Sequence, residues 1–235
     1  MIDWHSHVLP QLDDGSRSLE ESVAMLEALK SQGVDTVIAT PHFYANEESV
    51  EAFLERRKKS HDLLSSEMKS DDVRVVCGAE VKYYPGISRM EELNKLSVEN
   101  TNLLLLEMPF AKWTDYTIGE LAEISNMRGL KIALAHVERY NALRDKRLAG
   151  KLVENGILFQ SNASFFIRFG TKLKAIKLLG SGWIHFVGSD CHNMTSRPPK
   201  LDLAYKAIKK KLGEEFLTQM SEYGYQALKS KTKKT

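Results

Sequence analysis

Short apolar runs alternate with longer amphipathic stretches along this chain, and nearly every run stops at a histidine or a carboxylate. The runs Ile2 to His5, Thr36 to Ala39, Val73 to Cys77, Leu103 to Leu106, Lys131 to Ala135, Ile157 to Gln160 and Ile184 to Val187 are the expected strands. They are apolar throughout instead of alternating, the pattern of parallel strands buried on both faces. Between them, Ser18-Leu-Glu-Glu21 reads as a capping box opening a helix whose Val23, Leu26 and Leu29 share a face and which Gly33 closes. Asn155-Gly156 ends another helix running through Leu148, Leu152 and Val153. Such repeats build either a closed barrel or an open doubly wound sheet. No Gly-x-Gly-x-x-Gly follows the first strand, and the polar residues recur at strand ends, where barrels gather their active sites. The expected fold is therefore an α/β barrel, with helices over residues 201–212 and 214–228 packed outside it.

A chain of 235 residues fits one such domain, expected to span 1–235. Hydrophobic residues at 43% and charged residues at 27% exclude a largely disordered chain. The 33 basic and 31 acidic residues nearly cancel, leaving no overall field for nucleic acid or an anionic membrane. The lysines at 209–211 and at 229, 231, 233 and 234 read as a solvated helix face and a frayed tail over 230–235. With no secretory leader pattern and no apolar run of the ~18 residues a membrane span needs, a cytoplasmic protein is expected. Cys77 and Cys191 form neither a disulfide framework nor a CxxC zinc spacing.

The polar residues at the strand ends are of one chemical kind. His5-Ser6-His7 closes the first strand, and residues two apart in a strand point to the same side, so both imidazoles can face one ion. Asp190-Cys191-His192 repeats that spacing after the seventh strand. His42, Glu80, Glu107 and His136 each follow one of the runs between, and Asp14 sits in the Gly-containing turn beyond the first. A carboxylate or imidazole so placed is costly to bury unless it is paired or bound to a cation. One such residue is ordinary. Nine nitrogen and oxygen donors in this pattern exceed the needs of one ion, so two or three are expected, with imidazole richness favouring Mn, Fe or Zn over magnesium alone.

His5-Ser6-His7, Leu12-Asp-Asp-Gly15, Thr40-Pro41-His42, Gly78-Ala-Glu80, His136-Val-Glu-Arg139-Tyr140 and Gly188-Ser-Asp190-Cys-His192, followed by Arg197-Pro-Pro199, resemble the motifs of the PHP (polymerase and histidinol phosphatase) superfamily. The similarity is greatest to its bacterial tyrosine-protein phosphatases of capsule and exopolysaccharide operons. This resemblance implies a distorted seven-stranded (β/α) barrel of TIM-like type holding three metals, usually manganese. It implies His5, His7, Asp14, His42, Glu80, Glu107, His136, Asp190 and His192 as ligands, and Arg139 and Arg197 as phosphate-contacting arginines. The implied substrate is a phosphotyrosine protein, an autophosphorylating bacterial tyrosine kinase that controls polysaccharide export. A small phosphomonoester such as histidinol phosphate and a non-catalytic phosphotyrosine-binding module are the alternatives.

Closely spaced divalent ions suit phosphoester hydrolysis because they lower the pKa of bound water from about 15.7 towards roughly 7. Phe43, Tyr83, Tyr84 and Trp113 follow strand ends and are candidates to hold an aromatic ring, although aromatics so placed more often serve packing. Cys191 to Arg197 has the Cys-x5-Arg spacing of cysteine-based tyrosine phosphatases. The segment contains no glycine, its arginine precedes Pro198-Pro199, and Asp190 beside the thiol discourages a thiolate, so a cysteine mechanism is not expected.

Overall fold

The computed structural model describes residues 1–69, 72–141 and 145–229. The lysines at 231, 233 and 234 and the expected tail over 230–235 therefore lie outside the described residues. Nine strands are described: β1 (Ile2–Ser6), β2 (Thr36–Ala39), β3 (His42–Phe43), β4 (Arg74–Cys77), β5 (Glu80–Lys82), β6 (Leu103–Glu107), β7 (Lys131–Leu134), β8 (Leu158–Asn162) and β9 (Phe186–Gly188). The helices are α1 (Leu19–Ser31), α2 (Val50–Glu67), α3 (Asp115–Arg128), α4 (Lys146–Glu154), α5 (Ala163–Ile167), α6 (Lys172–Gly180), α7 (Leu201–Leu212) and α8 (Glu214–Lys229).

Every strand pairing is parallel, in two ladders ordered β1-β2-β4 and β3-β5-β6-β7-β8-β9. The fold is thus mixed α/β, with a curled parallel sheet forming a half-barrel. One ladder becomes two because the chain breaks step at Thr40-Pro41 and at Gly78-Ala79. Proline lacks an amide donor and lies at the first break. Backbone bonds span both breaks: Gly78 N donates to Ala39 O at 2.7 Å and Glu80 N to Pro41 O at 2.9 Å. The first and last strands also meet, through Asp190 N to His5 O at 2.8 Å and His7 N to Cys191 O at 2.9 Å.

Because side chains alternate along a strand, each apolar run feeds two cores. Leu104 and Leu106 of β6 pack outward with Leu121 and Ile124 of α3. Leu103 and Leu105 join Ile2, Trp4, Ile38, Val76, Ala133 and Phe186, contributed by six strands, and so fill the inside of the curl. Each such Leu stabilises the fold by about 1.5–3 kcal/mol relative to exposure. Tyr225 and Leu228 of α8 pack against this inner core. The apolar filling leaves the opposite, C-terminal strand ends to polar side chains. Gly188 is required where β9 meets β1: a Cβ there would lie 2.6 Å from His5 N.

Ser18 caps α1 as expected, its hydroxyl accepting from Glu21 N at 3.2 Å. Glu21 does not complete the box on Ser18. Its carboxylate accepts from Arg17 N at 3.0 Å and, with its other oxygen, from Met194 N at 3.2 Å, tying the helix start to the loop after β9. Lys209, Lys210 and Lys211 are exposed in the last turn of α7, the solvated face expected of them and the helix end where cations are favoured.

Candidate metal centre

The strand ends and the turn after β1 bring the nine predicted donors into one cluster, buried except for the exposed Asp14 and the half-buried His42. His5 and His7 come from the end of β1, His42 begins β3, Glu80 begins β5, Glu107 ends β6, His136 follows β7, and Asp190 and His192 follow β9. Glu80 occupies the middle. Its Oε2 is 3.0 Å from His5 Nε2, 3.4 Å from His7 Nε2 and 3.2 Å from His42 Nδ1, while Oε1 is 2.8 Å from His136 Nε2. Asp190 Oδ1 lies 3.6 Å from His5 Nε2 and 3.7 Å from His7 Nε2. Glu107 Oε1 is 3.6 Å from His136 Nε2, and its other oxygen accepts from Lys82 Nζ at 2.8 Å. Asp14 is the exposed member, yet its Oδ1 lies 3.3 Å from His192 Nε2 and 3.4 Å from His42 Nε2.

Three overlapping sets have donor atoms all within 4.8 Å of one another: His7, Asp14, His42 and His192; His5, His7 and Asp190; and His42, Glu80 and Glu107. The donors fit divalent cations better than they fit each other. His5 Nε2 and His7 Nε2 face one another at 3.2 Å; among the described residues the buried His136 Nδ1 has no hydrogen-bond partner, and His42 Nδ1 and His192 Nε2 make no hydrogen bond despite the nearby Glu80 and Asp14 carboxylates. Buried polar atoms without partners are rare and call for an explanation such as an ion. His136 and Asp190 also hold positive φ angles of 33° and 53°, a left-handed backbone uncommon outside glycine that collects at functional sites.

Electrostatics follow from this crowding. Burial opposes charge on His7, but the neighbouring Asp13 carboxylate and its hydrogen bond outweigh it and push the imidazole up to about 10. Burial drives His192 down to about 4, helped by the charge of His7. Burial would raise Asp190, and His5, His7 and Arg197 together hold it below the usual carboxylate range.

Further residues surround these donors and went unnoticed in the sequence. Asp13 Oδ2 accepts from His7 Nδ1 at 2.6 Å and from His42 N at 2.9 Å. Gln160 Oε1 accepts from His136 N at 2.6 Å and lies 3.2 Å from His5 Nδ1. Asn162 Nδ2 donates to Asp190 Oδ2 at 2.6 Å. The available signal was Gln160-x-Asn162, two amides at strand spacing on the end of an apolar run.

Arg139 and Arg197 converge on Asp190 from opposite segments, with Nη2 atoms 2.6 Å from Oδ2 and 2.8 Å from Oδ1 respectively. Both stay about 40% exposed and line a cavity of about 390 Å³ beside the cluster. The expected aromatic candidates face elsewhere. Phe43 packs on Phe53, Tyr83 donates to Glu120, Trp113 donates to Pro109 O, and Tyr84 packs into the outer core. The rings nearest the donors are Tyr44, stacked on His42 at 5.4 Å, the buried Tyr140, tilted against His136 at 5.7 Å, and the exposed Phe110, stacked on His136 at 6.5 Å. Cys191 is 1% exposed, and burial pushes its thiol far up. The amides of Thr195, Ser196 and Arg197, which a phosphate loop would turn on its ligand, all donate to Asn193 Oδ1 at 2.8–3.0 Å.

Residues 1–227 match the family model described as capsular polysaccharide synthesis, CpsB/CapC. The tyrosine-protein phosphatase CpsB of Streptococcus pneumoniae is 34% identical, over 91% of each chain. The tyrosine-protein phosphatase YwqE of Bacillus subtilis is 31% identical, over 99% of this chain and 93% of its own. A crystal structure from work on these two proteins, described as unique metal-dependent tyrosine phosphatases, superposes with a TM-score of 0.84 at 28% identity, covering 99% of this chain and 96% of that one.

Proposed function

Because the chain belongs to the CpsB/CapC family of capsular polysaccharide synthesis proteins, we propose that it is a metal-dependent protein-tyrosine phosphatase of the PHP type. The observation that carries this reading is the convergence of nine nitrogen and oxygen donors beside a cavity lined by two partly exposed arginines. His5, His7, Asp14, His42, Glu80, Glu107, His136, Asp190 and His192 would hold about two or three divalent ions, manganese in the first place with iron and zinc as the other candidates. Such ions, when bound, supply an activated water at neutral pH and neutralise charge on the phosphoryl group.

The chain's own residues do the rest. Arg139 and Arg197 present planar guanidinium forks suited to phosphate oxygens. Their bonds to Asp190 hold them over the cluster before substrate arrives, and pre-positioned charge costs no reorganisation at the moment of reaction. Asn162 and Gln160 fix the orientations of Asp190 and His136. A tyrosine leaving group titrates near ~10, so it departs without a strong acid, and no side chain here is assigned that role.

The same reading takes 1–235 as one domain acting in the cytoplasm, and the two ladders as one distorted seven-membered TIM-like barrel in which β2 with β3 and β4 with β5 each count as a single bent strand. The backbone bonds across both breaks and between β1 and the Asp190 segment support that closure. No helix among the described residues is long and apolar enough to cross a membrane. The expected substrate is a phosphotyrosine protein, an autophosphorylating bacterial kinase of polysaccharide export. The test is a side-by-side assay of metal-supplied protein on a phosphotyrosine peptide and on histidinol phosphate. Preference for the peptide supports the assignment; turnover confined to histidinol phosphate overturns it in favour of a small-molecule phosphatase, and binding of the peptide without phosphate release leaves a recognition module.

A further inference from the structure

The cavity beside the cluster carries more positive charge than one phosphate group requires. Besides Arg139 and Arg197 it is lined by Arg168, in the turn after α5, and Lys200, just before α7. Its lining holds a single carboxylate, Asp190, which both Arg139 and Arg197 already engage. Arg168 and Lys200 are exposed and face no carboxylate partner among the described residues. Ser164 and Ser196 add exposed hydroxyls to the same walls. At about 390 Å³ the space has the size of a ligand pocket and exceeds what a phosphoryl group fills.

Resting on the phosphatase reading above, we propose that Arg168 and Lys200 form a second anion subsite that selects substrates carrying an acidic residue close to the phosphotyrosine. The occupant follows from continuity and charge. Whatever enters this pocket shares it with the arginines assigned to the phosphate, so the second anion belongs to the same polypeptide. Two exposed cations lining the same cavity, with no carboxylate partner among the described residues, are complementary to a carboxylate, and exposed charges of this kind govern encounter and partner choice more than turnover. The subsite therefore acts on KM, and salt weakens it.

The experiment compares three phosphotyrosine peptides that differ only in flanking Glu, Gln or Lys, on metal-supplied full-length protein at low salt. The expected result is a kcat/KM for the Glu peptide roughly tenfold above that for the Gln peptide, expressed in KM, about the effect of two well-made exposed ion pairs. In Arg168→Ala/Lys200→Ala the ratio falls to near one. In Arg168→Glu/Lys200→Glu the preference moves to the Lys peptide, a gain that damage to folding cannot produce. Equal turnover of the Glu and Gln peptides by the wild type, or a preference that survives the double alanine variant, overturns the subsite. So does a double variant that loses only binding to phosphatidylglycerol vesicles, which would make the patch a membrane surface. Failure of the wild type to release phosphate from any peptide instead defeats the phosphatase reading itself, and the subsite falls with it.

Discussion

His7 Nδ1 donates to Asp13 Oδ2 at 2.6 Å, and this contact leaves Nε2 as the nitrogen turned to Glu80 and Asp190. A partner that fixes the tautomer and ring orientation of a ligating histidine is worth roughly 10–100-fold in metal affinity. Asp13→Ala is therefore expected to weaken manganese binding by about that factor in chelator competition, although Asp13, which also accepts from His42 N, belongs to none of the three donor sets. Unchanged affinity would remove Asp13 from the site.

Arg139 and Arg197 are expected to act on phosphate and not on the metals. Arg139→Lys and Arg197→Lys should each lower kcat/KM on a phosphotyrosine peptide by about 10²-fold, since a point charge cannot replace a two-pronged donor. Metal content, read by elemental analysis, should stay at the wild-type level. Loss of metal in either variant would assign the arginine a structural role through Asp190.

Neither cysteine is expected to react or to matter for turnover. Burial raises Cys77 to about 12 and Cys191 further, so both thiols stay protonated at neutral pH and should resist alkylation until the protein unfolds. Cys191→Ser should retain activity within about twofold, the scale of a neutral substitution. Abolished turnover with the metals still bound would revive a cysteine nucleophile.

Asp3 predicts a pH dependence of stability in the metal-free protein. It is fully buried beneath the β1–β9 junction, accepting from Ser189 N at 2.7 Å and Ser189 Oγ at 2.5 Å. Burial raises its carboxyl to about 6 from the ordinary 3.8, against the lowering effect of those bonds. A folded pKa above the unfolded one gives stability that is present below pH 3.8 and lost as pH rises through about 6. The loss is roughly 3 kcal/mol at most. Urea titrations of wild type and Asp3→Asn should diverge in slope across that window, the asparagine variant being the flatter; parallel curves would contradict the assignment.

The clustering of these histidines and carboxylates was legible because all but Asp14, which sits in a turn, follow apolar runs, where an unpaired polar group is costly to bury. Their helpers were not: Asp13 is one of two adjacent aspartates, and nothing local tells which turns to His7 and which to the open side. Gln160 and Asn162 act on His136 and Asp190 from a different strand, a relation set only by β8 lying between its neighbours. Period and composition gave the parallel sheet, but the offsets at Thr40-Pro41 and Gly78-Ala79, which separate the two ladders, depend on how the strands curl. The strand-end aromatics take the packing role that is the commoner one for such residues. Tyr83 and Trp113 follow strands, yet their polar atoms find partners inside the fold, and Tyr44, Tyr140 and Phe110 take the places beside the histidines.

The histidine and carboxylate cluster, once loaded with metal, is expected to hydrolyse phosphotyrosine. Phosphate release from a phosphotyrosine peptide, followed as manganese is titrated into metal-stripped wild type and His136→Ala, tests it most directly. No release is expected without metal, release should rise to a plateau at about two or three ions per chain, and the rate should be at least about 10²-fold lower in His136→Ala. Release that persists in chelator, or metal bound to that stoichiometry with no phosphate released, would contradict it.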